Sequence, residues 1–322
     1  MNTAHHIGVD ENGLGARLGP LIVTAVLARV DDRGGRALQR RLPKAIRKDL
    51  DDSKQLVSHG DVRVGEAWAR ALVGGAAQTP DALLGGLLLE ERSTLHAPCP
   101  KHVHAQCWSL DQESFQADDA MCQRVARHHE ALAERGIWLM GVQSSIVCTK
   151  RLNEAHARGI NRFVADLHAM ESLVLSLRAR AGALVTATCG KVGGMGSYGK
   201  FFGPLSNYLH TPLEEGKRQS AYHFPGVGQL RFVRDADALH PLVMLASLVG
   251  KYVRELLMAR VVRFYPDSAS EASPSGYHDP VTDAFVRRTA LLRKERLVPI
   301  TCFERARAAN AAPLKQRTRA SE

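Results

Sequence analysis

Two adjacent carboxylates, Asp10 and Glu11, end a short apolar run and are followed at once by glycines. Carboxylates bind hard divalent cations, and glycines let another backbone approach closely. Neighbouring residues of a strand point to opposite faces, so one carboxylate faces a pocket while the other reaches it from the strand end. The pair also fits an ordinary hairpin turn at Asn12-Gly13. The rest of the chain must therefore supply the partners that make it a site.

A second group of potential ligands lies in the irregular stretch 92–110. Its cysteines and histidines are the ligand types that zinc prefers, and a zinc site is one interpretation. The residues of that site would be Cys99, His102, His104 and Cys107. The spacing matches no standard zinc finger, and the neighbouring prolines favour an irregular insertion instead. The six cysteines are scattered, and no signal peptide precedes them, which predicts reduced thiols and a cytoplasmic protein.

The elements that must position Asp10 and Glu11 follow from hydrophobic periodicity. Residues 7–30 predict two strands joined by a glycine turn, and 183–189 predict a further strand. Apolar residues at three- and four-residue spacings predict amphipathic helices. These helices span 62–90 (with breaks at glycine pairs), 114–135, 160–179, 240–260 and 281–295. The chain is therefore expected to have an α/β fold.

The charge balance points to a polyanionic partner. The net charge is +10 and the sequence pI is about 9.5, which favours nucleic acid. No apolar run approaches the roughly 20 residues that a membrane-spanning helix needs. Residues 33–48 are strongly basic. Such a run is usually a solvated face, and a phosphate-contacting face is the alternative.

Five segments in order resemble the type 2 ribonuclease H (ribonuclease HII) family, in its archaeal and eukaryotic branch. They are Gly8–Gly15 with Gly19-Pro20, Asp52–Leu56, Ile160-Asn161 with Ala169-Met170, Ala236–Pro241 with Ala246–Glu255, and Ser275–Thr282. The resemblance covers most of 7–75 and 137–304. It implies a mixed central sheet flanked by helices, in a catalytic-type domain 1–260 with insertions near 76–136 and 195–230. A C-terminal helical part, 261–304, would contact nucleic acid, and 305–322 would be a flexible basic tail.

The resemblance also implies a reaction. Members of this family cut the RNA strand of RNA/DNA hybrids or incise beside ribonucleotides embedded in duplex DNA. Four carboxylates hold two Mg²⁺ or Mn²⁺ ions, which activate water and stabilise the leaving oxygen. Asp10 and Glu11 match the first two acids. Glu255 matches the fourth, with glutamate in place of aspartate.

Further residues match positions that contact substrate. Gly13 and Gly15 match the glycines whose backbone approaches the ribose 2′-hydroxyl. Lys54 matches a lysine that reaches a backbone phosphate, and Tyr277 matches a tyrosine that packs on a sugar. Leu14 stands where the family has arginine, so one charged contact is lost.

The third acid of the family pattern is missing. Alignment on the following Thr-x-Gly places Ala187 there, whereas alignment on the adjacent glycine places Cys189 there. Nothing from Ser172 to Pro212 is Asp or Glu. The family pattern makes Asp237 a sheet-edge residue and not a ligand.

Three hypotheses follow from this incomplete set of acids. The chain is a working endoribonuclease, a catalytically impaired relative that binds hybrids, or a zinc-stapled nucleic-acid module. The sequence identifies no protein partner.

Overall fold

The computed structural model describes residues 3–74, 77–101, 105–110, 112–192, 195–265 and 273–306. Their centre is one mixed seven-stranded sheet in the order β3-β2-β1-β4-β7-β6-β5. The strands are β1 (Thr3–Asn12), β2 (Leu21–Asp31), β3 (Ile137–Val147), β4 (Val185–Gly190), β5 (Thr211–Glu215), β6 (Gln219–Phe224) and β7 (Gly228–Val233). β1 pairs antiparallel with β2 and parallel with β4. β1 therefore lies near the middle of the sheet, and its C-terminal end adjoins the end of β4.

Helices cover both faces of this sheet. They are α1 (Asp32–Leu38), α2 (Lys44–Arg47), α3 (Ser53–Leu56), α4 (Arg63–Val73), α5 (Pro80–Leu87), α6 (Arg92–His96), α7 (Asp119–Glu134), α8 (Thr149–Ala157), α9 (Arg162–Ala181), α10 (Ala236–Leu239), α11 (Pro241–Arg263), α12 (Pro280–Arg288), α13 (Ala290–Glu295) and α14 (Ile300–Phe303). Single 3₁₀ turns occupy Gln106–Trp108 and Gly199–Phe201. The mixed sheet flanked by helices that the resemblance implies is confirmed.

The alternation of side chains along β1 assigns its residues to the two layers. Ile7 and Val9 are buried in the core that α9 forms on one face. Gly8 points to the other face, where an added Cβ would lie 2.3 Å from the backbone carbon of Leu242 in α11. Only a residue without a side chain lets α11 pack this closely. Asp10 follows Gly8 by two residues and shares the α11 face.

The described residues of the two segments predicted as insertions pack in the core or extend the sheet. Within 76–136, α5 and α7 pack their buried leucines and valine with α4 in the core beneath α11. Within 195–230, β5 and β6 continue the sheet beyond β7. Near the C-terminus, α12 and α14 form a small aromatic cluster with the end of α11. α11 itself continues to Arg263, past the boundary expected at 260.

No helix in the described ranges is long and apolar enough to cross a membrane.

Candidate active site at the end of β1

Asp10 lies where β1 ends between β2 and β4, and it is 7% exposed. Burial raises the pKa of its carboxyl well above the ordinary value, and the charges of Glu11 and Asp237 raise it further. A hydrogen bond with the Ser247 hydroxyl of α11 opposes that rise. A buried carboxyl beside two other acids is favoured in its protonated form unless a cation joins it.

Glu11 shares this environment from the α9 side. Burial raises its pKa to about 8, and the charges of Asp166 and Asp237 contribute to the rise. The ammonium group of Lys54 acts in the opposite direction. Asp10 and Glu11 are therefore two members of a larger acidic group that spans both faces of the sheet end.

Gly190, the last residue of β4, closes the site on the side of the missing acid. A Cβ added there would lie 2.9 Å from Asp10 Oδ1 and 3.4 Å from Glu11 Oε2. A side chain at position 190 would thus extend directly between the two carboxylates. The chain has only a hydrogen atom there.

Ala187 and Cys189, the residues aligned with the third acid, point into the core between the sheet and α9. Cys189 pairs with Val9, so both lie on the face opposite Asp10. Burial, followed by the charges of Asp166 and Asp10, raises the pKa of the Cys189 thiol. The residue of β4 that shares a face with Asp10 and adjoins it is Gly190.

Asp237, in the one-turn helix α10, acts on the acids, although the family pattern makes it a sheet-edge residue and not a normal metal ligand. Its charge raises the pKa of both Asp10 and Glu11. Its Oδ2 accepts a hydrogen bond from Lys54 Nζ at 3.1 Å. This hydrogen bond raises the pKa of Lys54, whose side chain is 76% exposed. Lys54 is therefore anchored at the site with its stem in solvent.

Glu255 lies elsewhere on α11. Its carboxylate binds His59 Nδ1 at 2.8 Å and Arg254 Nη1 at 2.8 Å. It lines a cavity with His59 and Ser273. Eight helical residues separate it from Ser247, the residue that bonds Asp10, and at 1.5 Å per residue this is about 12 Å along the axis. That is too far for the Glu255 carboxylate to share an ion with Asp10. The acid of α10 whose charge does act on both Asp10 and Glu11 is Asp237.

Two arginines, Arg254 and Arg305, pack against the glycine turn that follows Glu11. Gly13 has φ +87°, and an added Cβ would lie 2.6 Å from Nε of buried Arg254. Arg305 donates to the Gly13 carbonyl at 2.6 Å. Gly15 has open space where its Cβ would be, so its backbone is accessible. The guanidinium of Arg254 lies 4.4 Å from the ring centroid of Tyr277, which is 42% exposed. Tyr277 is therefore held beside the glycine turn.

Asp166 in α9 is a member of this site that sequence reasoning missed. It is fully buried, and within the described residues neither of its oxygens has a hydrogen-bond partner. Burial raises its pKa well above the ordinary value, and the charge of Asp10 adds to the rise. A signal was present: Asp166 falls between Phe163 and Met170 on the apolar stripe of the helix.

These donors do not fit the metal pair that the resemblance implies. In the ranges that the structure describes, no three side chains of His, Cys, Asp or Glu are arranged to hold a metal ion. Magnesium and manganese need several oxygen ligands in near-octahedral geometry. Gly190 supplies none, Glu255 is turned to other partners, and Asp237 is paired with Lys54.

The alternative zinc site can be followed only in part, because His102 and His104 lie outside the described residues. Cys99 and Cys107 line a cavity of about 40 Å³, together with Cys148 and Cys302. All four are free thiols. Burial raises the pKa of each, so the protonated form is favoured over the thiolate that binds metal.

No family model matches the chain, and no curated protein does. Solved structures do match it. Bst-RNase HIII in complex with Mn²⁺ shares 14% identity over 95% of this chain and 68% of that chain, with a TM-score of 0.46. RNase HII of Archaeoglobus fulgidus, in its complex with PCNA, shares 15% identity over 97% of both chains, with a TM-score of 0.39. Ribonuclease H2 of Pyrococcus horikoshii OT3 shares 15% identity over 93% of this chain and 92% of that chain, with a TM-score of 0.41. All three are ribonucleases H, and ribonuclease HII is the type that the five sequence segments resemble.

Proposed function

We propose that this protein recognises RNA/DNA hybrids, or ribonucleotides embedded in duplex DNA, at the end of β1 and that its metal-dependent cleavage is impaired. The observation that carries this proposal is Gly190. A Cβ added to Gly190 would lie 2.9 Å from Asp10 Oδ1. Glycine has no side chain, so position 190 supplies no ligand to a two-metal site. The residues that would contact substrate are retained.

The retained residues form a recognition surface for a ribose and its phosphates. The backbone of Gly15 is open, as a contact to a 2′-hydroxyl requires. Lys54 extends into solvent beside Asp237, within reach of a phosphate. Tyr277 offers an exposed ring beside the same turn, fixed by Arg254. The net charge of +10 supports attraction of a polyanion.

A working endoribonuclease is the second candidate, and Asp237 favours it. The charge of Asp237 raises the pKa values of Asp10 and Glu11, so this carboxylate acts electrostatically at the site. If substrate phosphate drew Lys54 away from Asp237, a third carboxylate would become available. Cleavage with Mg²⁺ or Mn²⁺ at the rate of a complete ribonuclease H would favour this candidate.

The proposal is tested by measuring binding and cleavage of one set of substrates. We expect the protein to bind a hybrid, or a duplex with one embedded ribonucleotide, more tightly than duplex DNA of the same sequence. We expect little or no cleavage of either ribonucleotide-containing substrate with Mg²⁺ or Mn²⁺. Equal affinity for all three nucleic acids, measured by fluorescence anisotropy, would contradict recognition of the ribonucleotide.

Tyr277→Ala is expected to weaken hybrid binding by up to about 1–3 kcal/mol, the range measured when an aromatic ring that stacks on a base is removed. Tyr208 provides a matched control, because it is 40% exposed against 42% for Tyr277 and lies in the loop before β5. Tyr208→Ala should leave affinity unchanged. An equal loss in both variants, or no loss in either, would remove Tyr277 from the binding surface.

A further inference from the structure

Two adjoining cavities open beside the candidate site on the α11 face of the sheet. The first, of about 640 Å³, lies between the loop after α1 and the α10 segment. The second, of about 400 Å³, lies between α1 and the end of α7. Arg40 and Arg41 line both cavities, so the two form one groove. We call it the arginine groove.

The arginine groove is strongly cationic. Its lining includes six arginines, which are Arg33, Arg36, Arg40, Arg41, Arg135 and Arg231. Among the residues that the structure describes, Glu134 is the only acid in the lining. Arg33 is paired with Asp31 at 3.4 Å. Burial, with the charges of His6 and Arg231, lowers the pKa of the lining residue His240 to about 4, so it is neutral at neutral pH.

Three of these arginines are exposed and free of ion pairs. Arg36, Arg40 and Arg41 make no salt bridge to any Asp or Glu among the residues that the structure describes. Like charges held together without counter-ions repel one another, and a bound polyanion relieves that repulsion. This arrangement favours the alternative interpretation of residues 33–48, a phosphate-contacting face.

The groove leads to the carboxylate site. Thr188 of β4 lines it, and Gly190 follows on the same face of the same strand. Ala236 and Ala238, which flank Asp237, form another part of its wall. A strand whose ribose lay at Asp10 could therefore continue into the groove without leaving the surface of the protein.

We infer that the arginine groove binds the sugar-phosphate backbone of a nucleic-acid strand that extends from the candidate site. The inference rests on the proposed function for the site itself, and it adds a second contact region, supplied by the loop between α1 and α2. Recognition there is by charge and does not depend on base sequence. The ligand class is a phosphodiester polyanion several nucleotides long.

The test compares two double variants of equal charge. Arg40→Ala/Arg41→Ala removes the two arginines shared by both cavities. Arg127→Ala/Arg158→Ala removes two arginines that are also exposed but line neither cavity. Affinity for a hybrid, and separately for duplex DNA of equal length, is measured between 50 and 200 mM salt. The melting temperatures of wild type and both variants are first compared by circular dichroism. They should agree, because the four replaced residues are exposed.

Two lost phosphate contacts should reduce the slope of log K against log salt by about 1.8. Across this salt range the wild-type protein should therefore lose about twelve-fold more affinity than the groove variant. The control variant should keep the wild-type slope. An unchanged slope in the groove variant, or an equal reduction in the control, overturns the inference.

The duplex DNA measurement separates this inference from the proposed function. If wild type binds duplex DNA and hybrid equally and the groove variant loses slope on both, the groove inference stands while hybrid recognition fails. If hybrid is preferred but the groove variant behaves as wild type, the proposed function stands and the groove inference fails. If wild type binds no nucleic acid at low salt, both fail.

Discussion

Gly190→Asp is expected to convert the carboxylate site into one that binds Mn²⁺ and cleaves the RNA strand of a hybrid. An aspartate there would extend from the end of β4 between Asp10 and Glu11 and supply the oxygen ligands that glycine lacks. The backbone at Gly190 does not have the left-handed φ that disfavours a side chain. The contact that the new Cβ would meet is the tip of the Asp10 side chain, which can rotate by a few tenths of an ångström.

The gain in Mn²⁺ affinity and in cleavage rate should be large. A direct metal ligand contributes more to both than a residue that only supports a ligand. Loss of a residue that merely supports a metal ligand commonly costs about 10–100-fold in affinity or rate. Restoring a ligand should therefore raise both Mn²⁺ affinity and cleavage rate by at least that factor. Mn²⁺ binding is measured by calorimetry or paramagnetic resonance without substrate, and cleavage by gel under single-turnover conditions.

Gly190→Asn is the matched control, since it has nearly the same shape and no charge. It should bind metal weakly and leave cleavage at the wild-type level. Addition of Asp10→Asn to Gly190→Asp should abolish the gain. If Gly190→Asp binds no Mn²⁺, or if Ala187→Asp or Cys189→Asp restores cleavage instead, the third-acid position has been assigned to the wrong residue.

The assignment of the third-acid position shows where sequence reasoning reached its limit. The strand was predicted over 183–189, and β4 extends over Val185–Gly190. Because side chains alternate along a strand, a shift of one residue exchanges the faces. Ala187 and Cys189 accordingly lie in the α9 core, and the neighbour of Asp10 is the next residue. On the assignment proposed here, the third-acid position lies at Gly190, one residue beyond the end of the predicted strand.

Other parts of the fold could be predicted because their signals are local. The paired strands of 7–30 and the apolar stripes of α9 and α11 depend on periodicity within one segment. The effect of Asp237 on Asp10 depends on how α10 packs at the end of the sheet. A local sequence pattern does not predict this packing. Sheet extension by β5 and β6 was missed for the same reason, because strand pairing is a long-range property.

Asp166 leads to the second large expected effect, on stability. The pKa values of Asp10, Glu11 and Asp166 are all raised in the folded protein by burial and by one another. An acid with a raised folded pKa binds protons more tightly than in the unfolded chain. Its contribution is therefore fully present below its ordinary pKa, near 4, and is lost as pH rises through the folded pKa, which for Glu11 is about 8. In chelator-containing buffer the free energy of unfolding should fall between these limits.

Asp166→Asn should remove much of that pH dependence. The amide keeps the shape of the side chain but cannot ionise, so the variant avoids the cost of burying an unpaired acid. We expect it to be more stable than wild type by about 1–3 kcal/mol at pH 8 and to differ little at pH 4. Urea unfolding at the two pH values measures both quantities. Glu130→Gln, on the exposed side of α7, should change stability little at either pH.

The sign of the Asp166→Asn effect also distinguishes two roles for the residue. If Asp166 is an unpaired acid left beside the site, stability rises at pH 8 and hybrid binding is unaffected. If its carboxylate is instead required in charged form, as a ligand for a cation that binds the acidic group, added Mn²⁺ should stabilise wild type and not the variant. A loss of stability equal at both pH values would contradict both roles, and Asp166 would then act through packing alone.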